Sequence, residues 1–431
     1  MTAVEPHEAE DLRYTVPPRR PVLELHPSRM SARRCAAVLY HAARPDAGRA
    51  RLVRQLRAAS AREHCVVTAS GRAALRSALR TLGAVPGREV VVSTFNCPAV
   101  ADAVLATGAT PVLVDTSPDA GSGYTSVDLR DRLVVLTNVL GLDEWRQHAH
   151  HIAERGGIPV LDLAQAVPAP GTLLRYRTAD CPLVLSFGAG KPLGGIGGGA
   201  VLHPPGTSGT ARPAPEPYPY PASCGGGPGG GAVLRGAVAA RLLGGAPGAA
   251  RAAVQRARQR APGWSATKAD HLPQEAGAAQ LLAPRRWETA AATALLGSAE
   301  ALRRAAVARH EEVRAAVAPL LEHCTVIPSR PDLVPGIELL FRRRGDRQVF
   351  ARTLAGAGVP STWNYFPLHR MRPYARYAGG PLPGADHLWP RVLTVPKQPQ
   401  PRLGRELLVT ALLAADRAVG ERGGRTRGCH D

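Results

Sequence analysis

The chain has 431 residues, 45% of them hydrophobic, which is enough for two or three domains with a sizeable buried core. Seven scattered cysteines without Cys-x-x-Cys spacing argue against a disulfide framework or a zinc site, and no apolar run reaches the roughly 20 residues of a membrane span. The formal net charge of +20 is spread along the chain and aromatics make up only 4%, so an anionic small molecule suits the charge better than nucleic acid. Residues 1–11 are polar and acidic, unlike a secretory signal, and a reducing cytoplasm is the expected compartment.

Residues 1–45, punctuated by Pro and Arg, read as an N-terminal arm. Leu52, Val53, Leu56 and Ala59 have the spacing of a helix over 51–62. A short strand from Val66 then enters the turn Ser70-Gly71-Arg72. Ala74, Leu75, Ala78, Leu79 and Leu82 predict a helix directly after it. Free N–H groups and the positive dipole end make such a helix start an anion site, and two small residues let a phosphate approach. A plain strand–helix turn is the commoner reading of a lone Ser-Gly.

Further strands are predicted at 89–93, 110–115, 132–137, 157–162 and 183–185, with helices over 99–107 and 144–155. This alternation predicts an α/β fold with a mainly parallel sheet covered on both faces. Ligands of such sheets bind beyond the carboxyl ends of the strands, where Ser70, Asp162, Gln165 and Ser186 all fall. His148, His150 and His151 crowd a polar helix and read as solvated rather than as metal ligands.

Residues 203–232 turn Pro-rich and then Gly-rich, and read as a flexible surface insert. Ala-rich helical patterns cover about 232–260 and 284–320, the second as a long linking helix into a last domain. That domain carries strands near 324–327, 337–341 and 393–396, an aromatic loop from Trp363 to His369, and helices near 348–357 and 403–419. The expected organisation is an arm (1–45), a large domain (46–300), a smaller C-terminal α/β domain (301–420) and a disordered tail (421–431). No internal repeat is visible.

Lysine is scarce. Only Lys191, Lys268 and Lys397 stand among 54 Lys and Arg residues. Lys191 sits in a Gly-rich turn after the strand at 183–185. Arginine keeps its proton, whereas a desolvated lysine can lose it and attack a carbonyl. The alternative is a surface lysine in a loop. Lys191 is followed by Pro192 rather than Ser or Thr, which argues against a Walker A loop, and 194–199 lacks the context of a dinucleotide fingerprint.

Four features taken together suit pyridoxal 5′-phosphate (PLP). The aldehyde needs a lysine, Lys191. The pyridine nitrogen needs a facing carboxylate to stay protonated, Asp162. The phosphate needs N–H donors and hydroxyls, at Ser70-Gly71 and Ser186.

At these residues the chain resembles a family. Ser70-Gly71-Arg72, Asp162-Leu163-Ala164-Gln165 and Ser186-Phe187 with Lys191 resemble the PLP-dependent sugar aminotransferases of the DegT/DnrJ/StrS type. Tyr365-Phe366-Pro367-Leu368-His369 and Leu393-Thr394-Val395-Pro396 are similar to C-terminal landmarks of that family. The resemblance spans roughly 50–420. It implies an aspartate-aminotransferase-like fold of type I, with PLP as cofactor in a homodimer. It implies a transaminase acting on a keto group of a nucleotide-linked sugar or related intermediate, with glutamate as amino donor.

The resemblance also implies roles. Lys191 forms the Schiff base and shuttles the proton, Asp162 pairs with the pyridine nitrogen, and Gln165 lies against the ring and its 3-hydroxyl. Ser186 and the Ser70-Gly71-Arg72 turn hold the phosphate. Cys97 stands where the family often stacks an aromatic ring on the cofactor, with Phe95 the nearby alternative. Arg72 replaces the family's usual Thr or small residue, and Pro284-Arg285-Arg286 falls where Asn-Tyr-Arg reaches the partner's cofactor. These departures motivate a second function class, a PLP-binding paralogue without transaminase activity, in a regulatory or assembly role.

Overall fold

The structure, a computed structural model, describes residues 15–16, 18–19, 22–23, 31–116, 123–188, 190–204, 284–333, 336–396 and 402–427. The Pro/Gly insert beyond residue 204, the helical pattern at 232–260, Lys268, Lys397 and residues 428–431 lie outside them.

The elements run β1 (Thr15–Val16), α1 (Ala32–Ala42), α2 (Pro45–Ser60), β2 (Cys65–Thr68), α3 (Gly71–Thr81), β3 (Glu89–Ser93), α4 (Pro98–Leu105), β4 (Thr110–Val114) and β5 (Leu133–Thr137). Next come α5 (Glu144–Glu154), β6 (Ile158–Asp162), α6 (Pro170–Leu173), β7 (Leu183–Ser186), β8 (Gly199–Leu202), α7 (Arg286–Leu296) and α8 (Ala299–Val317). The rest are β9 (Cys324–Val326), β10 (Gly336–Phe341), α9 (Asp346–Gly356), β11 (Ser361–Thr362), α10 (Pro383–Leu388), β12 (Val392–Pro396) and α11 (Arg402–Arg427).

Seven strands form one sheet in the order β2-β8-β7-β6-β5-β3-β4. From β4 to β7 the neighbours are parallel, and β8 runs antiparallel to both β7 and β2. Strands buried on both faces read as continuous apolar runs, and β5 does so. Its Leu133 and Val135 face one core with Leu75, Leu79, Val100 and Val104 of α3 and α4. Its Val134 and Leu136 face the other, with Leu52 and Leu56 of α2 and Ile152 of α5. Each such side chain contributes roughly 1.5–3 kcal/mol by leaving water.

The second sheet is antiparallel, in the order β1-β11-β12-β10-β9. Phe350 and Leu354 of α9 and Leu408 and Leu412 of α11 share a core with Ile337, Leu339, Leu393 and Val395 of this sheet. The same apolar cluster continues into Val90 and Val92 of β3, so the two sheets share one core.

Several elements depart from expectation. The single helix predicted over 284–320 is two helices, broken where Gly297 caps α7 and Ser298 leaves helical geometry at φ −116°. The Ser298 hydroxyl turns back to donate to Leu295 O at 3.0 Å, competing with the helix ladder. α2 starts at Pro45, because proline fits the first turn and Asp46 faces the dipole. α11 runs to Arg427, into the expected tail, since no proline after Arg402 removes a helix donor. The arm is structured in part. β1 extends the second sheet through Thr15–Thr362 and Val16–Ser361 pairs, and Val38 and Ala42 of α1 pack on Ala290 and Ala291 of α7.

His148 is buried, not solvated. Glu144, His148 and Ile152 share one face of α5 four residues apart, and that face lies against the sheet. Its Nε2 lies 3.4 Å from a Glu144 carboxylate oxygen and its ring meets Tyr124 edge-on at 4.8 Å. His150 is exposed, as expected.

Candidate active site

The carboxyl ends of β3, β5, β6 and β7 meet at one edge of the large sheet, beside the start of α3. Strand order reverses about β3, since β4 lies on one side of it and β5, β6 and β7 follow on the other. A crevice at such a reversal is where open α/β sheets bind ligands.

Ser70 caps α3, its hydroxyl accepting from Ala73 N at 3.1 Å. Gly71 follows with no room for a side chain. A Cβ there would lie 2.7 Å from Ser186 Cβ and 2.8 Å from Ser186 Oγ. The turn and the β7 hydroxyl therefore form one surface at the start of α3. Gly199 makes this possible from below, since a Cβ there would lie 2.6 Å from Ser70 O. Close backbone approach thus accounts for Gly199 at the end of the glycine run.

Asp162 ends β6 and is buried. Burial pushes its carboxyl up, while the Ala164 N–H, the Lys191 charge and the Thr137 hydroxyl act against that. The Ala164 N–H donates to Oδ1 at 2.9 Å. Lys191 is half-buried in a turn where its N–H donates to Gly188 O at 3.0 Å and its carbonyl accepts from Gly194 N at 2.8 Å. Its charge is near enough to be felt by the Asp162 carboxylate.

Gln165 lies three residues past Asp162. Its Nε2 donates to the Tyr365 hydroxyl at 2.6 Å, and its Oε1 is buried without a protein donor. Burial, then Cys97, push the Tyr365 phenol well above its ordinary value. Phe95 packs edge-on against the Tyr365 ring at 6.5 Å. Cys97, half-buried, starts α4, and its N–H donates to Asn96 Oδ1 at 2.7 Å.

Ser70, Gly71, Asp162, Gln165, Ser186 and Lys191 therefore surround one crevice, with Cys97 at its β3 side. Arg72 points elsewhere. Its guanidinium pairs with the buried Asp102 at 3.6 Å, and the Tyr374 hydroxyl donates to the other Asp102 oxygen at 2.5 Å. Arg285 starts α7, its N–H donating to Glu288 Oε2 at 2.8 Å, and Glu288 packs on Gly197 of the glycine run.

Sequence reasoning missed Asn96 and Thr137 and saw Tyr365 only as a landmark. Polar residues at the ends of otherwise apolar buried strands were the available signal.

Residues 48–207 match the model of the DegT/DnrJ/EryC1/StrS aminotransferase family. Over this stretch the chain is similar to that family. It is 34% identical over 146 residues to a UDP-N-acetyl-3-dehydro-alpha-D-glucosamine 3-aminotransferase of Acidithiobacillus ferrooxidans, covering 32% of this chain and 39% of the relative. It is 35% identical over 147 residues to a dTDP-3-amino-3,4,6-trideoxy-alpha-D-glucose transaminase of Streptomyces venezuelae, again covering 32% and 39%. The matched part thus spans about two fifths of these curated relatives. The solved structure of NtdA from Bacillus subtilis, with PMP bound, superposes with a TM-score of 0.65 over 92% of this chain and 85% of that one, at 13% identity. The fold is the α/β type I fold of PLP enzymes. Among the described residues no helix is long and apolar enough to cross a membrane.

Proposed function

We propose that this protein is a PLP-dependent aminotransferase that acts on a keto group of a nucleotide-linked sugar or related intermediate, with glutamate as donor. The observation that carries the reading is the convergence of Lys191, Asp162, Gln165 and the Gly71–Ser186 surface on one crevice. The crevice residues fit the cofactor. The unpartnered Gln165 Oε1 can accept from its 3-hydroxyl, and the Ser186 hydroxyl, packed against Gly71 at the start of α3, can meet its phosphate.

When bound, PLP supplies an aldehyde and a ring that withdraws electrons from an attached amino carbon. Lys191 Nζ would hold the aldehyde and would be the group that carries the proton. Asp162 holds the proton on the ring nitrogen. Ser70, the N–H groups of α3 and Ser186 Oγ bind the phosphate. Cys97 and Phe95 bound the ring's β3 side, and Gln165 with Tyr365 orients it.

The same reading places the protein in the cytoplasm as a homodimer. It divides the chain into a large cofactor domain built on the seven-stranded sheet and a smaller one built on the antiparallel sheet. It includes Arg72 only as a support of the phosphate turn.

Lys191→Ala tests the reading. The wild-type protein with PLP should show the visible band of lysine-bound cofactor, and glutamate should shift it. The variant should lose the band while folding normally. An unshifted band with every amino donor would favour a non-catalytic PLP-binding protein, and a band unchanged in the variant would remove Lys191 from its role.

A further inference from the structure

Asp162 is not held by its own loop alone. A run of hydrogen bonds reaches it from the β3 side of the crevice. Asn96 Oδ1 accepts from Cys97 N at 2.7 Å. Asn96 Nδ2 donates to Thr137 Oγ1 at 3.0 Å. Thr137 is the direct neighbour of Asp162 in the β5–β6 register, and its hydroxyl favours the charged form of the Asp162 carboxylate.

The direction of this run is fixed by chemistry. A backbone N–H can only donate, so the Asn96 atom facing Cys97 must be the carbonyl oxygen. The amide nitrogen then faces Thr137 and must donate to it. A threonine hydroxyl has a single proton. With its oxygen receiving from Asn96, that proton is left to turn to the neighbouring Asp162. No rotamer or amide flip reverses the order without placing two donors or two acceptors together.

The three side chains are sealed from solvent, at 0%, 6% and 5% exposure for Asn96, Thr137 and Asp162. Asp162 thus receives the Ala164 N–H directly, with the Thr137 hydroxyl beside it, and both favour its charged form over the protonated one. The run also crosses the strand-order reversal between β3 and β5. It links the backbone of Cys97, on the β3 side of the crevice, towards the Asp162 carboxylate.

We infer that Asn96 and Thr137 are positioning residues, a one-way hydrogen-bond run that keeps the Asp162 carboxylate ionised and aimed at the cofactor's ring nitrogen. The inference rests on the PLP reading above. Its effect must pass through the ring nitrogen, and that separates it from a structural role.

The test compares PLP with an analogue whose ring nitrogen is replaced by C–H, each titrated into the full-length apo-protein. Thr137→Val keeps the shape and removes the proton donor. Asn96→Asp keeps the acceptor for Cys97 but turns the Thr137 proton away from Asp162. Each variant should weaken PLP binding by about tenfold or more while leaving the analogue within about twofold of wild type, the loss expected for a hydrogen bond to a charged group. Thr137→Ser should restore wild-type binding of PLP. Equal weakening of both ligands would overturn the inference, since that is what a structural role does. So would unchanged PLP binding in Thr137→Val. Wild-type protein that binds neither ligand would overturn the PLP reading and this inference with it, whereas the first two outcomes leave that reading standing.

Discussion

Gln165 and Tyr365 lie 200 residues apart and meet through a 2.6 Å hydrogen bond. One follows the β6 carboxylate and the other follows β11. The bond fixes the Gln165 amide, leaving its oxygen towards the crevice. Tyr365→Phe keeps the edge contact with Phe95 but strands the buried amide nitrogen. The expected loss is about 1–3 kcal/mol of stability, read by denaturant unfolding, with weaker PLP binding. Unfolding at the wild-type midpoint would show that the bond contributes nothing.

Arg72 should act on Asp102 more than on the phosphate. Asp102 is buried, with Arg72 on one oxygen and Tyr374 on the other. Arg72→Ala should destabilise by about 1–3 kcal/mol, below the loss for a fully buried pair because the arginine side chain keeps 20% exposure. A double-mutant cycle with Tyr374→Phe should give a coupling of about 0.5–3 kcal/mol, because both side chains serve one carboxylate. A variant of wild-type stability with sharply reduced affinity for inorganic phosphate would instead place Arg72 at the cofactor phosphate.

Glu144 predicts a pH dependence of stability. Burial, then Asp143, push its carboxyl up to about 8. His148 beside it is driven the other way by burial and His151, so near neutral pH a protonated carboxyl faces a neutral imidazole. The folded chain thus holds a proton that the unfolded chain releases near the ordinary 4.5. Its stabilisation is complete below that pH and is lost as pH rises through about 8, on the order of a few kcal/mol. Melting temperature should fall over this window in wild type and fall less in Glu144→Gln. Parallel curves for the two proteins would contradict the assignment.

The sheet and much of the crevice were legible because both are local. Apolar runs such as β3 and β5 end in polar residues, and Asp162, Gln165 and Ser186 stand just past such ends. Lys191 stood out because arginine fills nearly every other basic position. What could not be read was pairing across the chain. Nothing near Arg72 says that Asp102 will draw its guanidinium away, and nothing near Gln165 names Tyr365. The Asn96–Thr137 bond runs between neighbouring strands whose order in the sheet is not their order in sequence. His148 was misread for another reason. Its four-residue spacing from Glu144 and Ile152 marks a buried face, but the polarity of the helix hid it.

Asp115, at the end of β4, accepts from Gly384 N at 2.7 Å and Ala385 N at 2.8 Å, the first free donors of α10. The helix in the C-terminal part is therefore capped by a side chain of the large sheet. In the opposite sense, β1 near the N-terminus closes the β11 edge of the C-terminal sheet. Each half completes the other's hydrogen bonding. A fragment cut at the start of α8 would leave α10 uncapped and the β11 edge bare, open to pairing with other chains. The two sheets should therefore melt in a single step, and separate expression of the C-terminal part should yield aggregate rather than a folded domain.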